Sequence, residues 1–242
     1  MTALLGVSLK MYLSASATRR WMADVRKIVD ARPQSADIFV LPTFPLLEST
    51  LSTLAGSGIA VGAQDVAASP EGAQTGQVSA AVLAELGCKY VVVGHAERRN
   101  RGGDDDATVV GKARQAVEHG LVPVVCSGEP TDVGPAGAIN FCRTQLAPVL
   151  AACSGAPVVV AYEPVWAIGA ARPAPPAHVR IVAEGLRPVV GDASLLYGGS
   201  AGPGLFGELG GTVDGLFLGR RAHDPAGFAA VLDQIAPARA AP

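Results

Sequence analysis

The stretch Val158-Val159-Val160-Ala161-Tyr162-Glu163 is the most informative about the fold, because it is continuously apolar until it ends in a carboxylate. A second stretch, Tyr90-Val91-Val92-Val93, is equally apolar and leads into Gly94-His95. Strands with one solvated face alternate apolar and polar residues, whereas strands covered on both faces read as unbroken apolar runs. These two stretches therefore predict parallel strands, buried under helices on one side and against a filled barrel interior on the other.

Similar short β-rich runs recur along the whole chain, and there are eight in all. They predict strands at Leu4–Leu9, Asp37–Leu41, Ile59–Ala63, Lys89–Val93, Leu121–Cys126, Val158–Tyr162, Ser194–Tyr197 and Val213–Leu218. Helical spacing of apolar residues between the runs predicts helices at Thr18–Val29, Ala80–Leu86, Ala107–His119, Ala138–Ala152, His178–Val189 and Ala226–Ile235.

Eight alternating units without a long linker favour an α/β protein with one domain, a (β/α)8 barrel over residues 1–242. A doubly wound open sheet is the alternative fold. It is less favoured because no Gly-x-Gly-x-x-Gly follows the first strand. The Ala/Pro-rich tail, residues 237–242, is predicted to be frayed.

Composition excludes several classes of protein. Hydrophobic residues make up 49% of the 242 and charged residues 17%, which predicts a globular chain with a large core. The net charge of −2 and the scattered basic residues argue against nucleic acid or an anionic membrane as partner. No leader or membrane-spanning run is evident, so we expect cytoplasmic residence. Four dispersed cysteines, at positions 88, 126, 142 and 153, are expected to be reduced and structural.

Polar residues follow several of the predicted strands. Lys10 follows the first, His95 and Glu97 follow the fourth, and Glu163 ends the sixth. Reactive groups of such barrels lie on the loops after the carboxyl ends of the strands. Glycine-rich turns after the last two strands, Gly198-Gly199-Ser200 and Gly219-Arg220-Arg221, place backbone N–H groups where a phosphate is often bound. The pattern predicts an anion site beside acid/base groups.

Two longer segments carry a resemblance to a known family. Val93-Gly94-His95-Ala96-Glu97-Arg98-Arg99 and Ala161-Tyr162-Glu163-Pro164-Val165-Trp166-Ala167-Ile168-Gly169 resemble the signature segments of the triosephosphate isomerases. Shorter matches, in the same order along the chain, are Lys10-Met11, Gly62-Ala63-Gln64-Asp65, Thr75-Gly76, Cys126-Ser127-Gly128-Glu129 and Tyr197-Gly198-Gly199-Ser200. The resemblance covers essentially the whole sequence.

The resemblance implies a cofactor-free and metal-free isomerase that interconverts dihydroxyacetone phosphate and glyceraldehyde 3-phosphate, in glycolysis and gluconeogenesis. Glu163 would be the base that moves a proton between adjacent carbons. His95 would be the neutral imidazole that polarises the carbonyl, a role of histidine that is well known in this family. Lys10 would supply positive charge for the developing oxyanion, and Glu97 would pair with Lys10 and position it.

The resemblance also implies a lid, a phosphate site and a second subunit. A mobile lid that excludes water would be formed by Pro164, Val165, Trp166, Ala167 and Ile168. Closure of this loop is well known in the family. Gly169, Ser200, Gly219 and Arg220 would contact the phosphate, with Ser8 beside the substrate. The loop from Gln64 to Gln77 would bring Thr75 and Gly76 close to a partner's site, so a homodimer is expected.

Several positions depart from the family pattern. Ser8 stands where an asparagine is usual, and Arg220 where a glycine is usual. Ala96, Gln77 and the lid end Ala170-Ala171-Arg172 replace a serine, a glutamate and Thr-Gly-Lys. A shorter side chain at position 8 suggests a four-carbon tetrulose phosphate as alternative substrate. The residues also allow two functions of different kinds, a Schiff-base aldolase that uses Lys10 and a noncatalytic barrel that binds a phosphosugar.

Overall fold

The computed structural model describes residues 2–32 and 36–235 of the chain, so the tail predicted to be frayed lies outside the described residues. Within those residues eight parallel strands close into a barrel in sequence order, with the first strand paired to both the second and the eighth. They are β1 (Leu4–Ser8), β2 (Asp37–Leu41), β3 (Ala60–Ala63), β4 (Tyr90–Val93), β5 (Val122–Ser127), β6 (Val159–Tyr162), β7 (Ser194–Tyr197) and β8 (Gly215–Leu218). The predicted (β/α)8 barrel is confirmed, and the open doubly wound sheet is excluded.

Helices on the outside connect the strands. In the described part of the chain they are α1 (Ala15–Asp30), α2 (Leu47–Leu54), α3 (Ala80–Glu85), α4 (Ala96–Arg101), α5 (Asp106–Glu118), α6 (Gly134–Ala152), α7 (Pro176–Val190), α8 (Leu205–Glu208) and α9 (Pro225–Ile235). The helical spacing of apolar residues did not indicate α2, α4 and α8. These helices are short, four to eight residues, and offer too few turns for a clear helical period.

Helix α1 shows how local sequence produces these elements. The side chain of Ser14 accepts a hydrogen bond from the Ala17 N–H at 3.2 Å and caps the first turn. One face, spaced three and four residues apart, is buried against the barrel and includes Trp21, Met22 and Val25. No helix among the described residues has the length and apolarity that a membrane crossing requires.

Two separate apolar layers hold the barrel together. The larger layer lies between the strands and the helices, and the smaller fills the barrel interior. Phe39 occupies the interior centre, stacked on Tyr90 at 4.5 Å between ring centroids, and also on Phe217 at 6.0 Å. A Cβ atom at Gly6 would collide with the rings of Phe39 and Phe217, so glycine is required there. The barrel interior is therefore a packed core.

Candidate active site

A cavity of about 740 Å³ opens at the carboxyl ends of the strands. The walls come from the segments that follow β1, β4, β6, β7 and β8. Among the residues that line it are nine that the sequence analysis assigned to catalysis or substrate binding: Ser8, Lys10, His95, Glu97, Glu163, Gly169, Ser200, Gly219 and Arg220. Residues separated by up to 212 positions in the sequence therefore meet at one face of the barrel.

Glu163 immediately follows β6 and is 5% exposed. Its backbone N–H donates to the Ser127 carbonyl at 2.9 Å, which fixes the residue to the end of β5. One carboxylate oxygen, Oε2, is buried, and no hydrogen-bond donor of the described residues reaches it. The same oxygen lies 3.6 Å from His95 Nε2. Because most buried polar atoms are paired, an unpaired carboxylate oxygen facing a cavity marks a group available to accept a proton.

His95 lies at the start of α4, where the imidazole caps the helix. Its Nδ1 accepts a hydrogen bond from the backbone N–H of Glu97 at 3.1 Å. A neutral imidazole has one donor and one acceptor nitrogen, so this bond places the ring proton on Nε2. Nε2 is the atom that faces Glu163, and the ring is therefore set up to donate a hydrogen bond into the cavity.

Lys10 extends from the segment after β1, and its Nζ lies 2.7 Å from Oε1 of Glu97. Burial alone would raise the pKa of the Glu97 carboxyl, but the hydrogen bond and charge of Lys10 outweigh burial and hold the pKa below its usual value. The pair keeps both charges next to the cavity. Lys10 has φ 47°, and Ser200, in the turn after β7, has φ 56°. Left-handed backbone at residues other than glycine costs on the order of 1–3 kcal/mol and clusters at functional sites.

The segment after Glu163 covers one side of the cavity. Val165–Ala167 form a 3-10 turn, and Ile168 and Gly169 line the cavity itself. Trp166 turns away from the cavity, and its Nε1 donates to Oε1 of Glu129 at 2.8 Å. The hydroxyl of Ser200 donates to the Ala167 carbonyl at 2.7 Å. We refer to residues 164–172 as the lid.

Glu129, the acceptor of the lid tryptophan, is completely buried. The Tyr162 hydroxyl donates to both of its oxygens, at 3.2 and 3.3 Å, and His178 Nε2 lies 3.6 Å away. Burial, assisted by the Glu129 charge, raises the pKa of the Tyr162 hydroxyl well above its usual value, so Tyr162 remains a donor. This buried polar cluster anchors the first half of the lid.

Six residues assigned from sequence do not line this cavity: Thr75, Gly76, Pro164, Val165, Trp166 and Ala167. Thr75 and Gly76 lie exposed in the segment between β3 and α3, and Gly76 has φ 88°. Of the assigned lid residues, Ile168 alone is among the residues that line the cavity. All four cysteines are free and buried. Burial raises the pKa of the Cys126 thiol well above its usual value, and the nearby Glu163 charge raises it further, so the thiol stays protonated.

Part of the cavity wall consists of residues that were not predicted from the sequence. Tyr12 lines the cavity, with its ring 5.5 Å from the imidazole of His223 and the Arg220 guanidinium 5.8 Å from its centroid. Phe217 and Arg221 line it as well. Tyr12 could have been predicted from the sequence, because it comes two residues after Lys10 in the segment that follows β1. The stacking of Arg220 on Tyr12 joins segments 208 residues apart and has no signal in the sequence.

The fold and the site together are those of an isomerase of the (β/α)8 type. A buried carboxylate with an unpaired oxygen, an imidazole that accepts at Nδ1 and a paired ammonium share one cavity, and glycine-rich turns flank it. The chain belongs to the triosephosphate isomerase family, since the family model described as triosephosphate isomerase matches residues 3–235. It is accordingly an enzyme of the aldose–ketose isomerase class.

Individual relatives support the same assignment. The chain is 44% identical to an L-erythrulose-1-phosphate isomerase of Pectobacterium atrosepticum, over 95% of this chain and 94% of the relative. It is 37% identical to a triosephosphate isomerase of Thermus thermophilus, over 92% of this chain and 94% of that protein. Identity to a triosephosphate isomerase of Nocardia farcinica is 41%, over 82% of this chain and 84% of that protein.

Proposed function

We propose that the protein interconverts isomers of a small ketose phosphate through an enediolate, with Glu163 as the base. The observation that carries the proposal is the buried, unpaired Oε2 of Glu163, which lies 3.6 Å from His95 Nε2 at the cavity. A carboxylate with a free oxygen next to a neutral donor can take a proton from carbon while the donor stabilises the adjacent oxygen. Phosphate binding alone would not require such a base.

The steps follow from the positions of these groups. Glu163 Oε2 removes a proton from the carbon next to the substrate carbonyl, and the electron pair of that C–H bond forms an enediolate. Nε2 of His95 donates to the enediolate oxygens, and the Lys10 ammonium offsets their negative charge. His95 Nε2 passes its proton to the oxygen that was the carbonyl and takes the hydroxyl proton from the adjacent oxygen. The protonated Glu163 then returns its proton to the former carbonyl carbon, and the new carbonyl forms at the other carbon. For dihydroxyacetone phosphate the product is glyceraldehyde 3-phosphate.

The phosphate is proposed to lie between the lid and the turns after β7 and β8. Gly169, Ser200, Gly219 and Arg220 all line this part of the cavity. Backbone N–H groups in such turns and the Arg220 guanidinium suit a dianion. The lid would exclude water from the enediolate, which can otherwise lose its phosphate.

The test is an assay with dihydroxyacetone phosphate and a tetrulose phosphate, comparing the wild type with Glu163→Gln. Glutamine keeps the size of the side chain but cannot accept the proton, so turnover should fall by about 10³-fold or more. Deuterium from the solvent should appear on the substrate carbon with the wild type only. Tight binding without deuterium exchange in the wild type would instead support the noncatalytic phosphosugar-binding barrel.

A four-carbon tetrulose phosphate is the second candidate substrate, and two observations favour it. Ser8, which lines the cavity, has a shorter side chain than the asparagine usual in the family. Its Oγ accepts a hydrogen bond from the Lys10 N–H at 3.4 Å. The Pectobacterium relative is named for a tetrulose phosphate. In a 1-phosphorylated tetrulose, proton transfer from C3 to C2 moves the carbonyl to C3. The product is a ketose phosphorylated at the other end, so the same base serves.

The ratio of specificity constants for the two substrates distinguishes these candidates. A higher kcat/KM for the tetrulose phosphate would establish the four-carbon reaction. A much higher value for the triose phosphates would instead support the glycolytic and gluconeogenic reaction and reject the four-carbon proposal. Either outcome leaves the role of Glu163 unchanged, because both substrates need the same proton transfer.

We also propose a cytoplasmic homodimer. Met11 is 90% exposed and Phe44 36% exposed, and both line a second cavity of about 350 Å³ beside Lys10 and His95. Exposed apolar side chains around a cavity are typical of an interface, and the protruding Thr75 segment of a second copy would suit it. Light scattering should give twice the mass of the chain. Thr75→Arg should produce a less active monomer, whereas Ala151→Arg on the exposed face of α6 should remain dimeric.

A further inference from the structure

Two arginines after β8 reach across the cavity mouth to the lid. Arg220 Nη2 donates to the Gly169 carbonyl at 3.2 Å, and Arg221 Nη2 donates to the Ala171 carbonyl at 2.7 Å. With the Ser200 hydroxyl on the Ala167 carbonyl, every second carbonyl from 167 to 171 receives a side-chain donor. We propose that Arg220 and Arg221 form a clasp that holds the lid closed, and that Arg221 is a positioning residue acting through the lid.

Each arginine is itself held in place. The Arg220 guanidinium lies over the Tyr12 ring, 5.8 Å from its centroid, a geometry that favours cation–π attraction. Tyr12 in turn contacts the imidazole of His223, whose Nε2 lies 3.2 Å from the Ser8 carbonyl. The clasp is therefore connected to β1 as well as to β8.

The stem of Arg221 is supported differently. A Cβ atom added at Gly202 would lie 2.5 Å from Arg221 Cδ, so the methylene groups of Arg221 pass directly over this glycine. That support aims the guanidinium at the end of the lid. The lid end Ala170-Ala171-Arg172 carries no polar side chain at the two positions next to the clasp. The hydrogen-bond donors that hold residues 169–171 of the lid therefore belong to residues outside the lid.

The energetic effect is modest at each contact, because both arginines are exposed and water competes for their N–H groups. A modest effect is sufficient for a lid, since open and closed conformations of such segments commonly differ by only a few kcal/mol. In the proposed clasp both contacts break when the lid opens, so together they shift that equilibrium toward the closed lid.

Hydrogen–deuterium exchange of the amides of residues 165–172, measured without substrate, tests the clasp. Arg221→Met keeps a stem to cover Gly202 but removes the donors, and exchange should become about fivefold faster, as expected for one lost hydrogen bond. Arg220→Met/Arg221→Met should exchange faster still. The matched control is Arg180→Met, because Arg180 donates to the Glu208 carbonyl at 2.7 Å, outside the lid. Unchanged exchange in the double variant would overturn the proposal.

Turnover gives a second readout, which rests on the proposed function. In an opened site the enediolate electron pair can expel the phosphate from the neighbouring carbon: the C–O bond breaks, a new C=C bond forms, and phosphate leaves with the bonding pair. Arg221→Met should therefore lower kcat and raise the inorganic phosphate released per isomerised product by about fivefold, whereas Arg180→Met should change neither. Since the exchange experiment needs no substrate, failure of the clasp and failure of the isomerase assignment give different results.

Discussion

Oε2 of Glu163 and Nε2 of His95 lie 3.6 Å apart across the ends of β6 and β4. The separation is slightly longer than a hydrogen bond, so neither atom is committed to the other. Each is oriented from behind: Glu163 by the Ser127 carbonyl, and His95 by the Glu97 N–H at 3.1 Å. The pair can thus contact two adjacent atoms of one substrate.

Replacing His95 by glutamine tests the role of its Nε2 proton. Glutamine cannot place a donor in the same position while capping α4, so kcat should fall by about 10²- to 10³-fold, the range seen when an oxyanion donor is removed. The measurement is steady-state isomerisation. His119→Gln, at the end of α5 and outside the cavity, should retain wild-type activity. Near-normal kcat in His95→Gln would exclude the imidazole as electrophile.

Gly198→Ala should impair catalysis by moving the base. A Cβ at this position would meet Glu163 Oε1 at 2.5 Å and Cγ at 2.7 Å, so the carboxylate must shift. A displacement of about 1 Å can cost about 10²-fold in rate. The matched control is Gly207→Ala in α8, where a Cβ meets nothing within 4 Å. Equal kcat values in the two variants would show that Glu163 tolerates the shift.

Ser8→Asn should change substrate preference toward three carbons. The larger side chain would occupy cavity space that the second hydroxymethyl group of a tetrulose phosphate needs. The expected change in the ratio of specificity constants is about tenfold or more, typical of one group that fits or clashes in a pocket. Kinetics with both substrates measure this ratio. An unchanged ratio would place substrate length under the control of other residues.

His223 should make the protein less stable in mild acid. Burial is the main cause that lowers the pKa of its imidazole below the usual 6.5, and the charges of Lys10 and Arg220 lower it further. The unfolded chain then binds the proton more tightly than the folded one. Neutral His223 therefore contributes to the free energy of unfolding in full above about pH 6.5. This contribution is lost as pH falls through the lower pKa of the folded state.

Urea unfolding of the wild type and His223→Gln at several pH values between about 5 and 7 measures this effect. The wild type should lose stability toward acid more steeply than the variant. His119→Gln serves as control and should keep the wild-type slope. Parallel slopes for wild type and His223→Gln would contradict the buried, neutral His223.

Much of the fold was predictable because the barrel strands are unusually regular in the sequence. β2 and β7 have the predicted bounds, and the other strands differ by one or two residues at an end. Some of those differences arise where a terminal residue, such as Leu9, stays buried after the ladder pairing has ended. The exposed Lys89 before β4 and the added Ser127 in β5 have no such explanation. Burial produces the apolar pattern, whereas pairing defines the strand, and the two stop at different residues.

The candidate site was predictable only in part. Lys10, His95 and Glu163 follow strands, and the resemblance of the flanking segments singled them out. Their geometry depends on long-range contacts, such as the pairing of Lys10 with Glu97 at 2.7 Å across 87 positions. The bonds of Arg220 and Arg221 to lid carbonyls depend on side-chain reach across the closed barrel, which no local pattern encodes.

The main-chain carbonyls that fasten the lid have a consequence for how this enzyme can diverge. Arg220 and Arg221 bind the backbone carbonyl oxygens of Gly169 and Ala171, and any amino acid would supply such an oxygen. Mutations that alter the side chain at position 171 can therefore accumulate without loosening the grip. Changes in lid sequence among descendants of this chain need not signal a change in how tightly their sites shut, whereas loss of either arginine should.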